Sequence, residues 1–198
     1  MTHEIFTALM AFAFVSSITP GPNNLMLLAS GANFGFRRTV PHMLGISIGH
    51  SVMVMLVGIG LIRVFDAYPL SQTLLKVVAV AYMLWLAWKI AHAAAPEVQD
   101  ATGKRPLNFF QAALFQWVNP KAWTMALTAI TVYAADRTLL TIAMVAAVFA
   151  MTNLPSICTW AAMGQQLRRL LTKPSRLRLF NWTMAILLVA SLWPVLYH

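Results

Sequence analysis

Thr19-Pro20-Gly21-Pro22-Asn23-Asn24 stands inside 32 consecutive uncharged residues, Ile5 to Phe36, where a membrane helix would otherwise run unbroken. Each proline removes a backbone donor and its ring clashes with the preceding turn, so the helix is expected to stop near Ile18 and restart near Gly21. In hydrocarbon an unpaired N–H or C=O is costly, and a break at this depth persists only where it is buried in protein or lines a wet cavity. The stretch therefore reads as a binding site. The plain alternative is a kink patched by neighbouring hydroxyls such as Ser16 and Ser17.

Composition fixes the solvent. With 60% hydrophobic residues, 10% charged and a mean hydropathy of +0.71, residues 1–198 form one membrane domain. A net charge of +9 would suggest nucleic acid in a soluble protein. Here the basic residues fall between apolar runs, so no nucleic-acid partner is expected. His3 and Glu4 replace a basic leader region, and the first span is expected to remain in the mature protein. A lone cysteine, Cys158 in an apolar run, excludes a disulfide framework or a paired-cysteine redox or metal site within this chain. It reads as a packing residue. No metal, cofactor or enzyme chemistry is expected.

Six spans follow from the punctuation, each needing about 20 apolar residues. They cover roughly Ile5–Asn33, Val40–Ile62 with Pro41 in its first turn, Leu70–Ala95 closed by Pro96, Phe109–Ala134 broken at Asn119-Pro120-Lys121, Leu139–Gly164, and Leu179–Leu196. One face collects ten lysines and arginines, among them Arg37, Arg38, Lys89, Lys104, Arg105 and the run Arg168–Arg178; the other has Arg63, Lys76 and Arg137. That asymmetry puts the first face in the cytoplasm and both termini outside. Tyr68, Tyr133, Trp193 and Tyr197 would mark the outer interface, and Trp85, Trp88 and Trp182 the inner one. The cluster Arg168–Arg178 either holds anionic lipid headgroups or simply retains its loop.

The two halves, about 1–96 and 107–198 around a polar linker at about 97–106, repeat one pattern. Pro20 and Pro120 break the first span of each, Arg37 and Arg137 precede each second span, and three spans make the second half enter from the opposite side. The fold class expected is an all-α membrane protein of six helices in a three-plus-three inverted repeat. In such folds the broken helices meet near the midplane and offer free N–H groups to an anion.

Lys121 is the one charged side chain deep in a span, at a cost of about 2.5–3.5 kcal/mol. An anion brought by the ligand would offset that cost, since no aspartate or glutamate lies inside the expected spans. The alternative is a lysine reaching along the pocket to water or backbone carbonyls. Trp117 and Trp123 either wall the site or pack against neighbours. In the second span Gly45 and Gly49 permit close helix approach, and His50 beside them either couples protons or is a neutral imidazole satisfied by a hydroxyl. Thr152, Asn153 and Pro155 lie similarly deep and either line the path or bridge helices.

Thr19-Pro20-Gly21-Pro22-Asn23-Asn24, Gly35-Phe36-Arg37, Gly45 with Gly49, the run Ala81 to Lys89, and Asn119-Pro120-Lys121 together resemble the LysE/RhtB family of bacterial amino-acid exporters. The likeness covers essentially the whole chain and is greatest to the branch exporting cysteine and O-acetylserine. It implies proton-driven efflux of amino acids across the inner membrane, with membrane lipids as surroundings and a homodimer left open. Many members carry an aspartate directly after the second glycine of the span-two motif, where this chain has His50. A neutral substrate is therefore expected in preference to lysine or arginine. The expected binding residues are Thr19, Pro20, Gly21, Pro22, Asn23, Asn24, Asn119, Pro120 and Lys121, holding the carboxylate between the half-helix starts and the ammonium on carbonyls near Ile18 and Val118, with His50 or Lys121 carrying the proton. The rival class is a non-transporting membrane assembly or lipid-handling protein, which composition and topology would fit equally.

Overall fold

The first break falls where the prolines demand it. A computed structural model describes residues 1–61, 67–93 and 105–193, and among them every regular element is helical. Helix α1, His3–Ile18, starts at a Thr2 cap and ends before Thr19; α2, Pro22–Phe34, begins with Pro22 at its first position. There the missing proline N–H removes no helical hydrogen bond. The two are bent by 52°. At the second break, α5, Phe109–Phe115, opens on an Asn108–Gln111 capping box and tightens into a 3₁₀ turn over Gln116–Val118. Helix α6, Pro120–Tyr133, follows from an extended Asn119. Pro22, at the first helical position, thus corresponds to Pro120 more closely than Pro20 does.

The remaining elements are α3, Phe36–Leu56, widening into a last turn at Val57–Leu61 where Gly60 takes φ 120°; α4, Pro69–Ala91; α7, Leu139–Arg168; and α8, Pro174–Ala190. Helices starting at Phe36 and Pro174 begin earlier than the expected spans at Val40 and Leu179, and α7 runs on past Gly164. An apolar run marks hydrocarbon, whereas the helix continues into the polar interface. Pro41 accordingly lies beyond the first turn of α3. The expectations resting on Ile62, Arg63, Pro96, Lys104, Leu196 and Tyr197, and most of the linker, lie outside the described residues.

By length and apolarity Phe36–Gly60, Thr73–Ala91 and Leu139–Arg168 can each cross a membrane, and the bent pair α1–α2 makes a fourth if it counts as one span. Neither piece of the broken pair α5–α6, of 7 and 14 residues, nor the 17-residue α8 is as long as an unbroken crossing.

Close approaches hold the bundle. A Cβ on Gly31 of α2 would strike the Ala161 carbonyl of α7, and one on Gly164 of α7 would strike the Leu28 carbonyl of α2. Gly45 and Gly49 admit the α5 backbone at Phe109 and Ala113 in the same way, which bears out the small-residue expectation for α3. Two large apolar cores result, with a small third cluster of Leu25, Leu28, Ala29 and Met184. One joins Met26, Leu27, Met43, Ile46, Phe115 and Ile157; the other joins Leu9, Met53, Val54, Ala126, Val145 and Phe149. Helices α1 and α6 feed the second core, α2 and α5 the first, while α3 and α7 pass through both. Both breaks therefore lie at the junction between cores, level with His50 on α3 and Asn153 on α7.

Candidate functional site

At that junction the carbonyls freed by the first break are almost all taken. Asn24 Nδ2 donates to Ser17 O at 2.7 Å and Thr19 O at 2.8 Å, and Trp160 Nε1 of α7 donates to Ile18 O at 3.0 Å. The Lys121 ammonium donates to Thr19 O at 2.6 Å, Thr19 Oγ1 at 2.9 Å and Pro20 O at 3.3 Å. Serine hydroxyls, the patch expected from sequence, do not serve: Ser16 Oγ turns to Phe12 O and Ser17 Oγ is buried without a partner. A hydroxyl on α1 points back along its own helix, whereas an amide or ammonium arriving from another element can face the exposed end.

Lys121 thus sits at the carbonyl end of α1, where the helix dipole favours a cation. Of the two expectations for it, the reach to backbone carbonyls is the one this geometry displays. Its side chain runs over Gly21, whose Cβ, if present, would lie 2.6 Å from Lys121 Cδ. Gly21 is fully extended at φ −176°, so its small size, not its conformational freedom, is what the contact requires.

The two breaks are joined directly. Asn23 Nδ2 donates to Gln116 Oε1 at 2.8 Å, and Gln116 Nε2 returns to Asn23 Oδ1 at 3.2 Å and to Ala112 O at 2.9 Å. Gln116 is wholly buried and is a site residue that sequence inspection passed over; an amide within an apolar run, ahead of Asn119-Pro120, was the available signal. Trp160 gave no such signal. Asn119 caps α6 by accepting from the Lys121 N–H at 3.1 Å, while α2 starts without any side-chain cap. Its first N–H groups are therefore unclaimed by a cap and face the junction.

Ser16, Ser17, Gly21, Asn23, Asn24, His50, Asn119, Lys121 and Asn153 converge on one cavity of about 20 Å³. That is room for about one water and too little for an amino acid. His50 is buried, its Nε2 has no partner, and its ring lies edge-on to Phe149 at 5.2 Å. The hydroxyl partner expected as its alternative is not found at Nε2. Trp117 and Trp123 bond each other through Trp123 Nε1 and Trp117 O at 2.8 Å and line no part of this cavity; they pack. Thr152 turns its hydroxyl to Val148 O on its own helix, and Cys158 packs against the first core. Of the carbonyls expected for a substrate ammonium, that of Ile18 is already held by Trp160, and those of Thr19 and Pro20 beside it are held by Lys121. Thr19 and Pro20 are exposed. A break cannot face lipid, so this side opens on water or on another protein surface.

Residues 14–191 match the family model of the LysE type translocator. The chain is 31% identical over 193 residues, 96% of each chain, to the cysteine/O-acetylserine efflux protein of Escherichia coli strain K12, and equally to that of Shigella sonnei strain Ss046. No solved structure matches.

Proposed function

The chain belongs to the LysE family of translocators, and from that premise we propose that it exports small neutral amino acids or their derivatives, cysteine and O-acetylserine among them, across the bacterial inner membrane. The observation that carries this is the Lys121 ammonium seated on the Thr19 and Pro20 carbonyls between two broken helices. A cation and a set of carbonyls already satisfying one another are the two partners that a zwitterion exchanges into. Its carboxylate takes Lys121 and the free N–H groups at the start of α2, and its ammonium takes the carbonyls that Lys121 releases. Each side of the exchange leaves no buried charge alone.

A cavity of about 20 Å³ is too small for this to happen without movement, so the described conformation is a closed one. Alternating access in an inverted repeat, six spans in two groups of three with both termini periplasmic, supplies the movement. In that arrangement α5–α6 is the counterpart of α1–α2 and α8 completes the count. A zwitterion gains nothing from the membrane potential, so export needs a coupled ion. An inward proton fits, carried by His50 or Lys121 in the same cavity.

Counterflow tests the proposal. Liposomes holding the protein and loaded with unlabelled O-acetylserine or cysteine should accumulate the labelled compound, and lysine-loaded ones should not. Equal counterflow with lysine would reject the neutral preference; none with any amino acid would favour a non-transporting membrane protein.

A further inference from the structure

A second, roomier cavity lies elsewhere. It measures about 320 Å³ and lies between α2, α3, α4 and residues 105–107, away from the two breaks. That volume is within the range of about 300–1,000 Å³ common to small-molecule sites. Trp85, Leu86 and Leu107 contribute apolar wall, Lys89 and Arg105 bring positive charge, and among the described residues none that lines it is acidic. Lys89 is held over the Trp85 ring, its Nζ 5.2 Å from the centroid. His42 lines the cavity while only 2% exposed, and neither of its ring nitrogens has a hydrogen-bond partner.

An orphaned buried imidazole is costly unless something polar meets it. Neutral imidazole offers one donor and one acceptor, so whatever fills this cavity must be polar where it touches His42 and anionic where it touches Lys89 and Arg105. An acyl chain meets the second condition through its headgroup and fails the first, because its buried end is hydrocarbon. A small molecule polar at both ends meets both. We propose that this cavity is a second amino-acid site, on the face that carries Arg37, Arg38, Lys89 and Arg105. The carboxylate pairs with Lys89 and Arg105, and the amino or side-chain polar group bonds His42. It rests on the transport function proposed above and adds to it a docking place for substrate before the central exchange at Lys121.

Binding stoichiometry decides the matter. Radiolabelled O-acetylserine, kept below neutral pH so that its acetyl group does not migrate, is titrated against the purified full chain in phosphatidylcholine nanodiscs. Wild type is expected to bind about two equivalents, and His42→Phe and Lys121→Met about one each. Lys89→Met, at a half-exposed residue whose replacement leaves the core intact, should weaken one class of site about ten- to a hundred-fold; His42→Gln should retain part of it. One equivalent lost on Lys121→Met and indifferent to His42→Phe and Lys89→Met would overturn the second site and leave the transport reading standing. No binding to wild type would remove both. Loss of the His42-dependent equivalent when phosphatidylglycerol is added would assign the cavity to lipid headgroups and overturn the proposal as well.

Discussion

Replacing Lys121 with methionine separates holding the fold from holding the substrate. The ammonium makes three contacts across the break, but most of what it touches has a second partner. Thr19 O still accepts from Asn24 at 2.8 Å, and Thr19 Oγ1 still donates to Ser16 O at 3.0 Å. Pro20 O alone is left without a protein donor, at an exposed residue that water can reach. The expected loss of stability is about 1 kcal/mol, the net value of an ordinary hydrogen bond, and methionine is easier to insert in lipid than lysine. Transport should suffer more. A charge-assisted pair with the substrate carboxylate contributes about 1.5–3 kcal/mol, or about ten- to a hundred-fold in affinity. Lys121→Arg keeps the charge yet must pass a larger planar head over Gly21, where the lysine stem already lies close; partial loss is expected. The assay is uptake into inverted vesicles, corrected for protein amount, comparing a neutral amino acid with its carboxyl-blocked methyl ester. Wild type should discriminate between them and Lys121→Met should not. Undiminished discrimination in the methionine variant would show that the ammonium is a helix cap and nothing more.

Three further outcomes follow from other contacts. Gln116→Leu should strand the buried side of Asn23 and lower thermal stability by about 1–3 kcal/mol, whereas Asn23→Leu/Gln116→Leu together should cost less than the sum of the singles; strict additivity in detergent melting curves would deny the reciprocal amide pair. Alanine at Gly31 or Gly164 should push α2 and α7 apart and cost about 1–3 kcal/mol each, read as a drop in melting temperature; an unchanged value would mean that the backbones do not touch as described. At the head of α7, Asp136 accepts from the Thr141 hydroxyl at 2.9 Å and from the Thr138 hydroxyl at 3.3 Å, and the Thr141 bond leads the contacts that hold its carboxyl below the usual carboxylate range. A lowered value in the folded state gives stability present above the unfolded pKa and lost as pH falls through the folded one. Amide exchange at Thr141 and Ile142, whose N–H groups bond the Thr138 cap, corrected for intrinsic rates, should therefore stay slow from neutral pH down through the ordinary carboxylate range and quicken below it. Asp136→Asn should abolish that acid step.

Both breaks were legible because proline and glycine act locally. Pro20-Gly21-Pro22 and Asn119-Pro120 stop a helix whatever surrounds them, and α1 and α2 end and begin within a residue of the expected places. The ends of α3, α7 and α8 were less legible, since apolar runs report the thickness of the hydrocarbon and not the length of the helix. The partners at the break were not legible at all. Trp160 meets Ile18 O from 142 residues away and Lys121 meets Thr19 from 102, separations that no local pattern encodes. His42 escaped notice for a related reason: on the sequence it is one histidine among five, and only the packing reveals that its nitrogens face no partner.

The two breaks resemble each other in sequence but differ in how their polar groups are satisfied. The second is satisfied largely from within, Asn119 capping its own helix at Lys121 N and Trp123 reaching back to Trp117 O, with the Gln116–Asn23 amide pair tying it to the first. The first draws on Lys121 of α6 and Trp160 of α7, both from the other half of the chain. Any rocking of one half against the other therefore leaves the Asn119 cap and the Trp123 bond in place, parts the Gln116–Asn23 pair, and strips the first break of two donors. Water or substrate must replace them, because an uncompensated carbonyl in a dry interior costs about 1–3 kcal/mol. In the proposed exchange a zwitterion supplies an ammonium for those carbonyls and a carboxylate for the lysine that left them. On the exchange proposed above, substrate would compensate the movement that leaves the first break unsatisfied in the empty protein, and the asymmetry between two similar motifs would tie the one to the other.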